Sequence, residues 1–424
     1  MKKMVFMAAF VAATAAFVAC SSNDDLVQQK PDVPEEMVDE GIPMKIIVSD
    51  LASRGTDLSS TNPLQNFTLY STMLTPTEAA QATPPSTPSW TKGKDFTRDT
   101  GGNWTVDGSD LSWPDNKSYT FYGVSDIGNL TKVTVGTQSV PQTPTVSENT
   151  VSFGYTMPQE LRPKDDPENP DEADRYWCNS ENLPDLLVSK NTGSSSLDDG
   201  KLTVDFTHAL AQIKVINIYA NTDRLEDLDP AITDHQTYYI RINGIRLGGL
   251  KSVGTYTFDG NPAWVVSGDD TEFNIPLVIS NDKEEAFEAM SFKPSKTKAG
   301  GISLTLTDGG LYLIPQTATG QVVKDGGYKI EGAYAELDAQ VCQFGDPDQM
   351  GPEDMCVYYC AADDGIIAFS PDASIEAGFG LLRVPLNFTL LPGRGYALTL
   401  DLSRAVIVSS GEPAFAGAKL ETAG

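Results

Sequence analysis

Short apolar runs recur along most of the chain, and turn-forming residues separate them. The runs are rich in Val, Ile, Leu, Tyr, Phe and Thr and are bounded by Gly, Asp, Asn and Pro, which is typical of β-strands. The best helical pattern, residues 283–290, is short. We therefore predict an all-β protein built from sandwich layers. The clearest strand-like runs are LTVDF, YYIRING, ISLTLT, LYLIPQ, VPLNFTLL and GYALTLDLSRAVIV.

Three stretches interrupt this pattern and are predicted to be loops or insertions. Each is dense in Pro, Gly, Asp and Glu. A change of texture at SKNTGSSSLDDGK predicts a domain boundary, with one domain over residues 55–200 and a second over residues 201–424. The three stretches are TPTEAAQATPPSTPSW after Met73, ELRPKDDPENPDEADRY from Glu160, and QFGDPDQMGPEDM between Cys342 and Cys356.

The beginning of the chain has the pattern of a bacterial lipoprotein signal. Two lysines precede an almost wholly apolar run, and small residues lead to Cys20. Residues 1–19 are therefore predicted to be a signal peptide, and the Cys20 thiol to carry a diacylglycerol. A membrane-spanning helix is the alternative, but the apolar run is short for a bilayer core.

Charge narrows the classes of function. The chain has 30 basic and 58 acidic residues, a formal charge of −28. Such a balance disfavours nucleic-acid binding, because Lys and Arg bind the phosphates. Residues 20–54 combine an acidic, solvated tether with a first strand, and acids directly after the lipid cysteine resemble a surface-export signal of Bacteroidales lipoproteins.

The sequence contains few candidate catalytic residues. His208 and His235 are the only histidines, and no nucleophile elbow, zinc-protease motif or phosphate-binding loop is present. The acidic stretch 346–353 has oxygen ligands near a turn, but Met350 stands where a calcium ligand is needed. We therefore predict a protein that is not an enzyme and needs no cofactor or metal.

Four cysteines follow Cys20. Cys342, Cys356 and Cys360 lie close enough in sequence for one local disulfide, which an exported chain could form. Cys178 stands apart from them. A metal site is disfavoured, because the three thiols have no histidine nearby.

The segment FTHALAQIKV contains a rare histidine within a strand pattern. Alternation places Phe206, His208 and Leu210 on one face, whereas Ile213 falls on the other parity. The change of parity near residues 211–212 predicts a bulge or a strand crossing between two sheets. We expect His208 to be packed, with neighbouring backbone groups satisfying its ring nitrogens.

This segment resembles the Phe-x-His-x-Leu-x-x-Ile signature of the fimbrillin family, the lipoprotein pilin precursors of Bacteroidales. Four other stretches look like segments of that family and occur in the same order. The likeness extends roughly from Pro43 to Arg404. The four stretches are LSWPDNKSYTFYGVS, PDLLVSK, YLIPQ and LLPGRGYALTLDLS.

The resemblance implies a fold and a route of maturation. The fold would be two tandem transthyretin-like β-sandwich domains with Greek-key topology. The precursor would be lipidated at Cys20, carried to the outer surface of the outer membrane, and cut by an arginine-specific protease after its first strand. Another subunit would then fill the opened groove with its C-terminal strand, and the mature form would lie in an extracellular fimbrium.

Particular residues fit that route. An apolar strand from Met44 to Val48 precedes Arg54, and the Arg54–Gly55 bond lies in a polar segment that a protease could reach. Competing arginines in loop-like sequence are Arg98, Arg162 and Arg175. The tail contains two β-rich stretches, 405–408 and the weaker 413–420. The predicted donor strand consists of Arg404, Ala405, Val406, Ile407, Val408 and Ser409.

Two alternatives share the same fold. A fimbrial tip adhesin or a glycan-binding surface lipoprotein could recognise a host or bacterial surface glycan or protein, with tryptophan rings stacking on sugars. A basal anchor would instead keep its lipid and its first strand. The five tryptophans are Trp90, Trp104, Trp113, Trp177 and Trp264.

Overall fold

The computed structural model is built from β-strands. The only helical segments among the described residues are two short 3-10 turns, Ser180–Asn182 and Asp198–Gly200. The predicted all-β class is therefore confirmed. The structure describes residues 42–48, 64–71, 93–106, 111–113, 118–125, 132–135, 138–141, 145–146, 151–162, 174–219, 238–277, 291–292, 301–306, 310–324, 328–343, 356–361, 367–370, 380–401, 406–408 and 418–422.

The strands up to the signature histidine include all members of a six-stranded antiparallel sheet. They are β1 (Ile42–Pro43), β2 (Lys45–Val48), β3 (Asn66–Ser71), β4 (Lys94–Arg98), β5 (Trp104–Val106), β6 (Ser112–Trp113), β7 (Tyr119–Ser125), β8 (Lys132–Val135), β9 (Gln138–Pro141), β10 (Thr145–Val146), β11 (Val151–Thr156), β12 (Glu160–Leu161), β13 (Tyr176–Asn179), β14 (Leu187–Gly193), β15 (Lys201–Val204) and β16 (Phe206–His208). The sheet has the order β16-β14-β7-β3-β4-β5.

The later strands build the other large sheets. They are β17 (Ala211–Tyr219), β18 (Tyr238–Thr257), β19 (Trp264–Ile275), β20 (Ser291–Phe292), β21 (Ile302–Thr305), β22 (Leu311–Leu313), β23 (Thr317–Lys324), β24 (Tyr328–Gly332), β25 (Tyr334–Gln343), β26 (Cys356–Ala361), β27 (Ile367–Ser370), β28 (Gly380–Pro385), β29 (Asn387–Thr389), β30 (Gly395–Asp401), β31 (Val406–Val408) and β32 (Ala418–Thr422). A second sheet runs β12-β13-β19-β18-β25-β26-β27, with β10, β11, β20, β28 and β31 joined to this path. A third runs β21-β17-β30-β32, and β22 also pairs with β17.

The 20-residue strand β18 organises the second sheet. It pairs with β25 along its first part and with β11 along its second part, and its register against β19 shifts twice. Gly249 lies in this strand with a φ of +68°, and a β-carbon there would lie 2.2 Å from the carbonyl oxygen of Gly332. Only glycine fits so close an approach of two backbones.

A first group of buried residues, here called the aromatic cluster, lies against the six-stranded sheet. The alternating burial of β7 shows why: Tyr119 and Phe121 point inward while their neighbours are half-exposed. The Phe67 ring stacks on Phe96 with centroids 4.9 Å apart. The members are Met44, Phe67, Leu69, Phe96, Trp113, Tyr119, Phe121, Leu187, Leu202, Val204 and Phe206.

A second and larger group, here called the aliphatic cluster, is built mainly from β17, β18, β22, β25 and β30. Strands β11 and β13, which precede residue 200, also contribute Phe153, Tyr155 and Cys178 to it. Each cluster thus draws on both sides of the predicted boundary. The boundary at residue 200 and the transthyretin-like topology stay predictions. Central members of the aliphatic cluster are Ile213, Ile216, Ile218, Ile242, Ile245, Leu247, Leu250, Leu311, Leu313, Leu337, Leu398 and Leu400.

Candidate functional site at the first strand and the signature segment

Residues 42–48, which comprise β1, Met44 and β2, are here called the first strand, and they close one side of the aromatic cluster. β1 pairs antiparallel with β6, so that Ile42 lies opposite Trp113. The amide of Met44 donates to the carbonyl of Leu111 at 2.9 Å. β2 then pairs in parallel with β15 along its whole length. Residues 42–48 are therefore held by main-chain pairing to two separate segments of the chain.

The side chains of this strand alternate between the cluster and the solvent. Met44 is 7% exposed and belongs to the cluster. Ile46 and Val48 are half-buried and pack against it. Lys45 is exposed, and Ile47 is 44% exposed. Because strand side chains alternate with a period of two, the first strand supplies apolar side chains to the cluster at every second position.

The residues packed in the same cluster form an apolar floor for the first strand. Leu202 and Val204 of β15 are 1% and 0% exposed, and Trp113 is 1% exposed. The indole nitrogen of Trp113 donates to the carbonyl of Gly200 at 2.9 Å. Gly200 has a φ of +73°, and a β-carbon there would lie 3.1 Å from the Pro43 carbonyl oxygen. This tight corner holds the indole beside the start of the first strand.

The predicted lipidation and cleavage residues, Cys20, Arg54 and Gly55, lie outside the described residues. β2 ends at Val48 and β3 begins at Asn66. The bond after Arg54 therefore lies in the stretch of chain between the first strand and the next. The cleavage site and the lipid anchor stay predictions.

The competing arginines differ in how a protease could reach them. Arg98 is the last residue of β4 and pairs with a residue of β5. Arg162 is 7% exposed and donates to the Glu272 carboxylate at 2.8 Å. Arg175 is exposed and lies just before β13. Arg175 is therefore the most exposed of these three arginines, although its carbonyl accepts a hydrogen bond from the amide of Arg162 at 2.9 Å.

Beyond Asp401, the described residues form two strands. β31 pairs antiparallel with β28, and β32 pairs antiparallel with β30 at the end of its sheet. The predicted donor strand overlaps β31, whereas its residues Arg404, Ala405 and Ser409 lie outside the described residues. Both tail strands are thus paired with their own chain in this state.

The strand β32 lies partly within the weaker of the two predicted tail stretches. Ala418 and Leu420 alternate with Lys419 and Glu421. This is the two-residue period of a strand with one polar face. Small side chains weaken this strand pattern, because they lower the apolar content of the stretch 413–420.

The signature segment passes from one sheet to another. β16 ends at His208 and pairs with β14 in the six-stranded sheet. β17 begins at Ala211 and pairs in parallel with β30 in a different sheet. The predicted crossing is therefore confirmed. The register against β30 also shifts between Ile213 and Val215, as a bulge requires.

The expectation that Phe206, His208 and Leu210 share one face is wrong. Phe206 belongs to the aromatic cluster, and Leu210 belongs to the aliphatic cluster. The two-residue alternation stops where β16 ends, so it does not predict the direction of the next side chain. The indole nitrogen of Trp264 donates to the carbonyl of Ala209 at 2.8 Å and holds the chain at the crossing.

His208 contacts a carboxylate at this crossing. Its Nδ1 lies 2.5 Å from Oδ2 of Asp185. The His208 and Asp185 side chains are 19% and 8% exposed. The prediction named only backbone partners, and the structure adds the carboxylate. Since Asp185 precedes β14, the pair ties the end of β16 to the start of its neighbouring strand.

A buried charge network lies across the second sheet. Glu336 is 4% exposed and accepts hydrogen bonds from Nε of Arg246 and Nε of Arg383, both at 2.8 Å. Burial by itself would raise the pKa of Glu336, but the Arg246 and Arg383 guanidinium groups outweigh it and hold the pKa below its usual value. The Arg383 guanidinium also lies over the Tyr334 ring, 4.3 Å from its centroid.

Of the four tryptophans in the described part of the chain, three are buried and one is half-buried. Trp177 is 9% exposed, and the Arg162 guanidinium faces its ring at 5.7 Å from the centroid. Its indole nitrogen donates to Glu160 at 3.2 Å. Trp177 therefore has no open ring face for a sugar. Trp90 lies outside the described residues. The others are Trp113, 1% exposed, Trp264, 5% exposed, and Trp104, half-buried.

The cysteines occupy two regions. Cys178 is a free thiol that is 0% exposed, and burial, with the nearby Glu160 carboxylate, raises the pKa of that thiol. It is therefore unreactive as a thiolate. Cys342 in β25 lies opposite Cys356 in β26. The pairing of Cys342, Cys356 and Cys360 stays a prediction.

The described residues contain no group of three or more His, Cys, Asp or Glu side chains that could hold a metal ion. No helix within the described ranges has the length and apolar character needed to cross a membrane. His235 and the acidic stretch 346–353 lie outside the described residues.

Comparison with known proteins gives a likeness of fold. No protein-family model and no curated protein matches the chain. The chain is similar to a fimbrial protein from Bacteroides vulgatus, with 14% identity and a TM-score of 0.45, over 90% of this chain and 99% of that one. It is also similar to a fimbrial assembly protein from Parabacteroides distasonis, with 11% identity and a TM-score of 0.32, over 89% of this chain and 98% of that one. At these values the likeness by itself assigns neither a family nor a function.

Proposed function

We propose that this chain is a structural subunit of a surface pilus. It is exported as a lipoprotein precursor, matured by an arginine-specific protease and polymerised by donor-strand exchange. The observation that carries the proposal is the position of residues 42–48, which close the aromatic cluster and precede Arg54. The resemblance of the signature segment and four further stretches to fimbrillins supports the same reading.

Cleavage after Arg54 would leave the first strand attached only by non-covalent contacts. Each apolar side chain that it buries stabilises the fold by about 1.5–3 kcal/mol when burial is complete. Of its inward residues only Met44 is buried, while Ile46 and Val48 are half-buried. The strand can therefore leave at a modest cost when another strand takes its place.

Departure of the first strand would create a receiving groove. One edge of β15 would lose its main-chain partner, and Leu202, Val204 and Trp113 would face water. An incoming strand with apolar residues at alternate positions satisfies both requirements, as in other strand additions. The partner is thus another pilin subunit, of the same or a related kind.

The donor is assigned to Arg404–Ser409, in which Val406 and Val408 alternate with Ile407. The competing donor is Ala418–Thr422. Each segment must first detach from its own sheet, β31 from β28 and β32 from β30. Exchange therefore replaces contacts within a subunit by contacts between subunits.

The lipid on Cys20 holds the precursor on the outer membrane, and the acidic tether spans the distance to the folded part. Cutting at Arg54 releases the subunit from this anchor and opens its groove in the same step. This coupling prevents polymerisation before the subunit reaches the surface. The role requires no catalysis by the chain itself.

The central experiment treats purified precursor with an arginine-specific protease. We expect a new N-terminus at Gly55, followed by a ladder of oligomers on a denaturing gel without boiling. The variant Arg54→Ala should stay uncut and monomeric, whereas the matched variant Arg175→Ala should behave like the wild type. A precursor that is cut at Gly55 but never assembles, with or without other pilins, rules out the polymerising role.

Synthetic peptides identify the donor. A peptide of residues 404–411 should occupy the groove of processed subunits and suppress the ladder, and a peptide of residues 416–424 should not. The reverse result moves the donor to β32. If neither peptide nor truncation of either segment changes assembly, the tail is not the donor.

The position in the fibre follows from N-terminal sequencing of the surface form. A chain that starts at Gly55 within assembled pili is an incorporated subunit. A chain that keeps a lipidated Cys20 and an intact Arg54–Gly55 bond within pili is a basal anchor instead. Trp177 provides no support for the glycan-binding alternative, because its ring is packed against Arg162.

A further inference from the structure

The hairpin of β26 and β27 is joined to the second sheet through a short ladder. In the described part of the chain, β25 and β26 pair through Val341–Val357 and Cys342–Cys356. Residues directly opposite in an antiparallel pair have α-carbons about 4.5–5.5 Å apart. A disulfide spans α-carbons about 4.4–6.8 Å apart. The register therefore places Cys342 and Cys356 within disulfide range.

The same register excludes Cys360 as a partner. Cys360 lies four residues beyond Cys356 in the same strand, which corresponds to about 13 Å at about 3.3 Å per residue. Its register partner is Ala368 in β27, on the side of β26 away from β25. Disulfides do not bridge α-carbons more than about 7 Å apart. Cys360 can thus reach neither Cys356 nor the position of Cys342.

Cys178 is excluded by its place in the sheet. It lies in β13, and the strand order β13-β19-β18-β25 puts three strand spacings between it and Cys342. At about 4.8 Å per spacing, the strands are about 14 Å apart. Cys178 is also fully buried as a free thiol.

We propose that Cys342 and Cys356 form a cross-strand disulfide in the exported protein, and that Cys360 remains a free thiol. The proposal depends on the predicted export and is independent of the pilus function. The two thiols lose two protons and two electrons as the sulfur–sulfur bond forms. The electrons pass by thiol–disulfide exchange to a disulfide oxidant, which is reduced to two thiols.

The bond has a structural consequence for this edge of the sheet. It closes a ring around residues 343–355, which are dense in Pro, Gly and acidic residues. It also fixes the β26–β27 hairpin at the point where the hairpin meets β25. Closing this loop lowers the conformational entropy of the unfolded chain, which stabilises the folded state.

The chain offers a direct chemical test. No Lys or Arg lies between residues 330 and 382, so trypsin leaves these cysteines in one peptide. Met350 and Met355 lie between Cys342 and Cys356, and cyanogen bromide cleaves after methionine. Fragment 291–350 then contains Cys342, and fragment 356–424 contains the other two cysteines. The full chain, exported by its own signal, is first alkylated with N-ethylmaleimide in denaturant and then cleaved without reductant.

We expect the two fragments to remain linked and to separate after reduction. We also expect the alkyl group on Cys360, and none on Cys342 or Cys356, in the peptide mass spectrum.

Cys360→Ser should keep the link, and Cys356→Ser should lose it. A link that survives Cys356→Ser and is lost in Cys360→Ser overturns the pairing. Separate fragments from the wild type, even after incubation with glutathione disulfide, overturn the disulfide altogether. The wild-type label map decides the matter if a serine variant fails to fold.

Discussion

The aromatic and aliphatic clusters differ in which parts of the chain supply the strands that enclose them. The aromatic cluster takes Met44 from a strand near the beginning of the described chain, and that strand pairs with β6 and β15. The aliphatic cluster is crossed by β17 and β18, which lie in the interior of the chain and pair on both edges. A single cut between β2 and β3 would therefore leave the first strand held only by non-covalent contacts, whereas β17 and β18 would stay joined to the chain at both ends.

Both clusters contain close ring contacts, and the second sheet adds a buried charge network. In the aromatic cluster, the Phe67 ring lies 4.9 Å from Phe96, 4.8 Å from Trp104 and 5.2 Å from Phe206, measured between centroids. In the aliphatic cluster the Trp264 ring lies 5.2 Å from Tyr256 and 6.0 Å from Tyr155, and the second sheet also carries the buried carboxylate of Glu336. The comparison shows that the two clusters differ in the first strand and in this charge network, and that both contain ring packing.

The largest expected effect tests the second sheet, whose strands β18 and β25 contribute to the aliphatic cluster. Glu336→Ala leaves two arginines without their buried carboxylate and should lower the free energy of unfolding by about 3–5 kcal/mol. Chemical denaturation measures it. The matched variant Glu331→Ala removes an exposed glutamate of β24 and should change stability by less than about 1 kcal/mol. Equal effects of the two variants would mean that the network does not support this sheet.

The same residue predicts a dependence on pH. The folded pKa of Glu336 is below its usual value of 4.5. The carboxylate therefore stabilises the fold above the unfolded pKa, and this contribution is lost as pH falls through the folded pKa. Wild type and Glu336→Ala should differ most near neutral pH and converge as the pH falls below about 4.5. A constant difference down to acid unfolding would contradict the assignment.

A smaller effect tests the first strand, residues 42–48. Met44→Ala truncates the one buried side chain of the first strand and should lower the free energy of unfolding by about 2–5 kcal/mol. Hydrogen exchange should show weaker protection of β15 with unchanged protection of β17. Lys45→Ala, at the neighbouring exposed position, should change stability by less than about 0.5 kcal/mol. Loss of protection in β17 as well would show that the two clusters unfold as one.

The junction between the clusters gives the next effect. His208→Ala leaves the Asp185 carboxylate without its imidazole partner and should cost about 1.5–3 kcal/mol. Thermal unfolding measures the loss, and cleavage at Arg54 should proceed at the wild-type rate. Thr207→Ala, at the exposed position beside it, serves as the control. Wild-type stability of the His208 variant would contradict a structural role.

The smallest effect concerns a surface ion pair. Nζ of Lys190 lies 2.5 Å from the Asp259 carboxylate, and the two side chains are 43% and 50% exposed. The pair joins β14 to the turn between β18 and β19, yet exposed ion pairs contribute only about 0–1 kcal/mol. Lys190→Ala should therefore leave the unfolding temperature nearly unchanged, and any difference should vanish in high salt. A larger loss would mean that surface charge, rather than the chain crossing at Ala209, couples the clusters.

Prediction from the chain alone succeeded where the signal is local. The apolar strand before Arg54 and the change of parity near Ala211 both correspond to observed features. It failed at Leu210, because an alternation that ends at His208 cannot be extended across a sheet crossing. It also underrated β32, whose small side chains weaken the apolar pattern. No pattern in the sequence predicted the contact between the Asp185 carboxylate and His208, since the two residues meet only after β14 and β16 pair.

What the amino-acid sequence determined by itself is the strand character of the chain and the spacing of its inward-facing residues. These follow from side-chain alternation and turn chemistry, which act over a few neighbouring residues. Only the tertiary structure decided that β2 pairs in parallel with β15 and that Cys342 and Cys356 are register partners in neighbouring strands. The physical reason is that a hydrogen-bond ladder joins segments far apart in the chain. Its register is chosen by which apolar faces can be buried together.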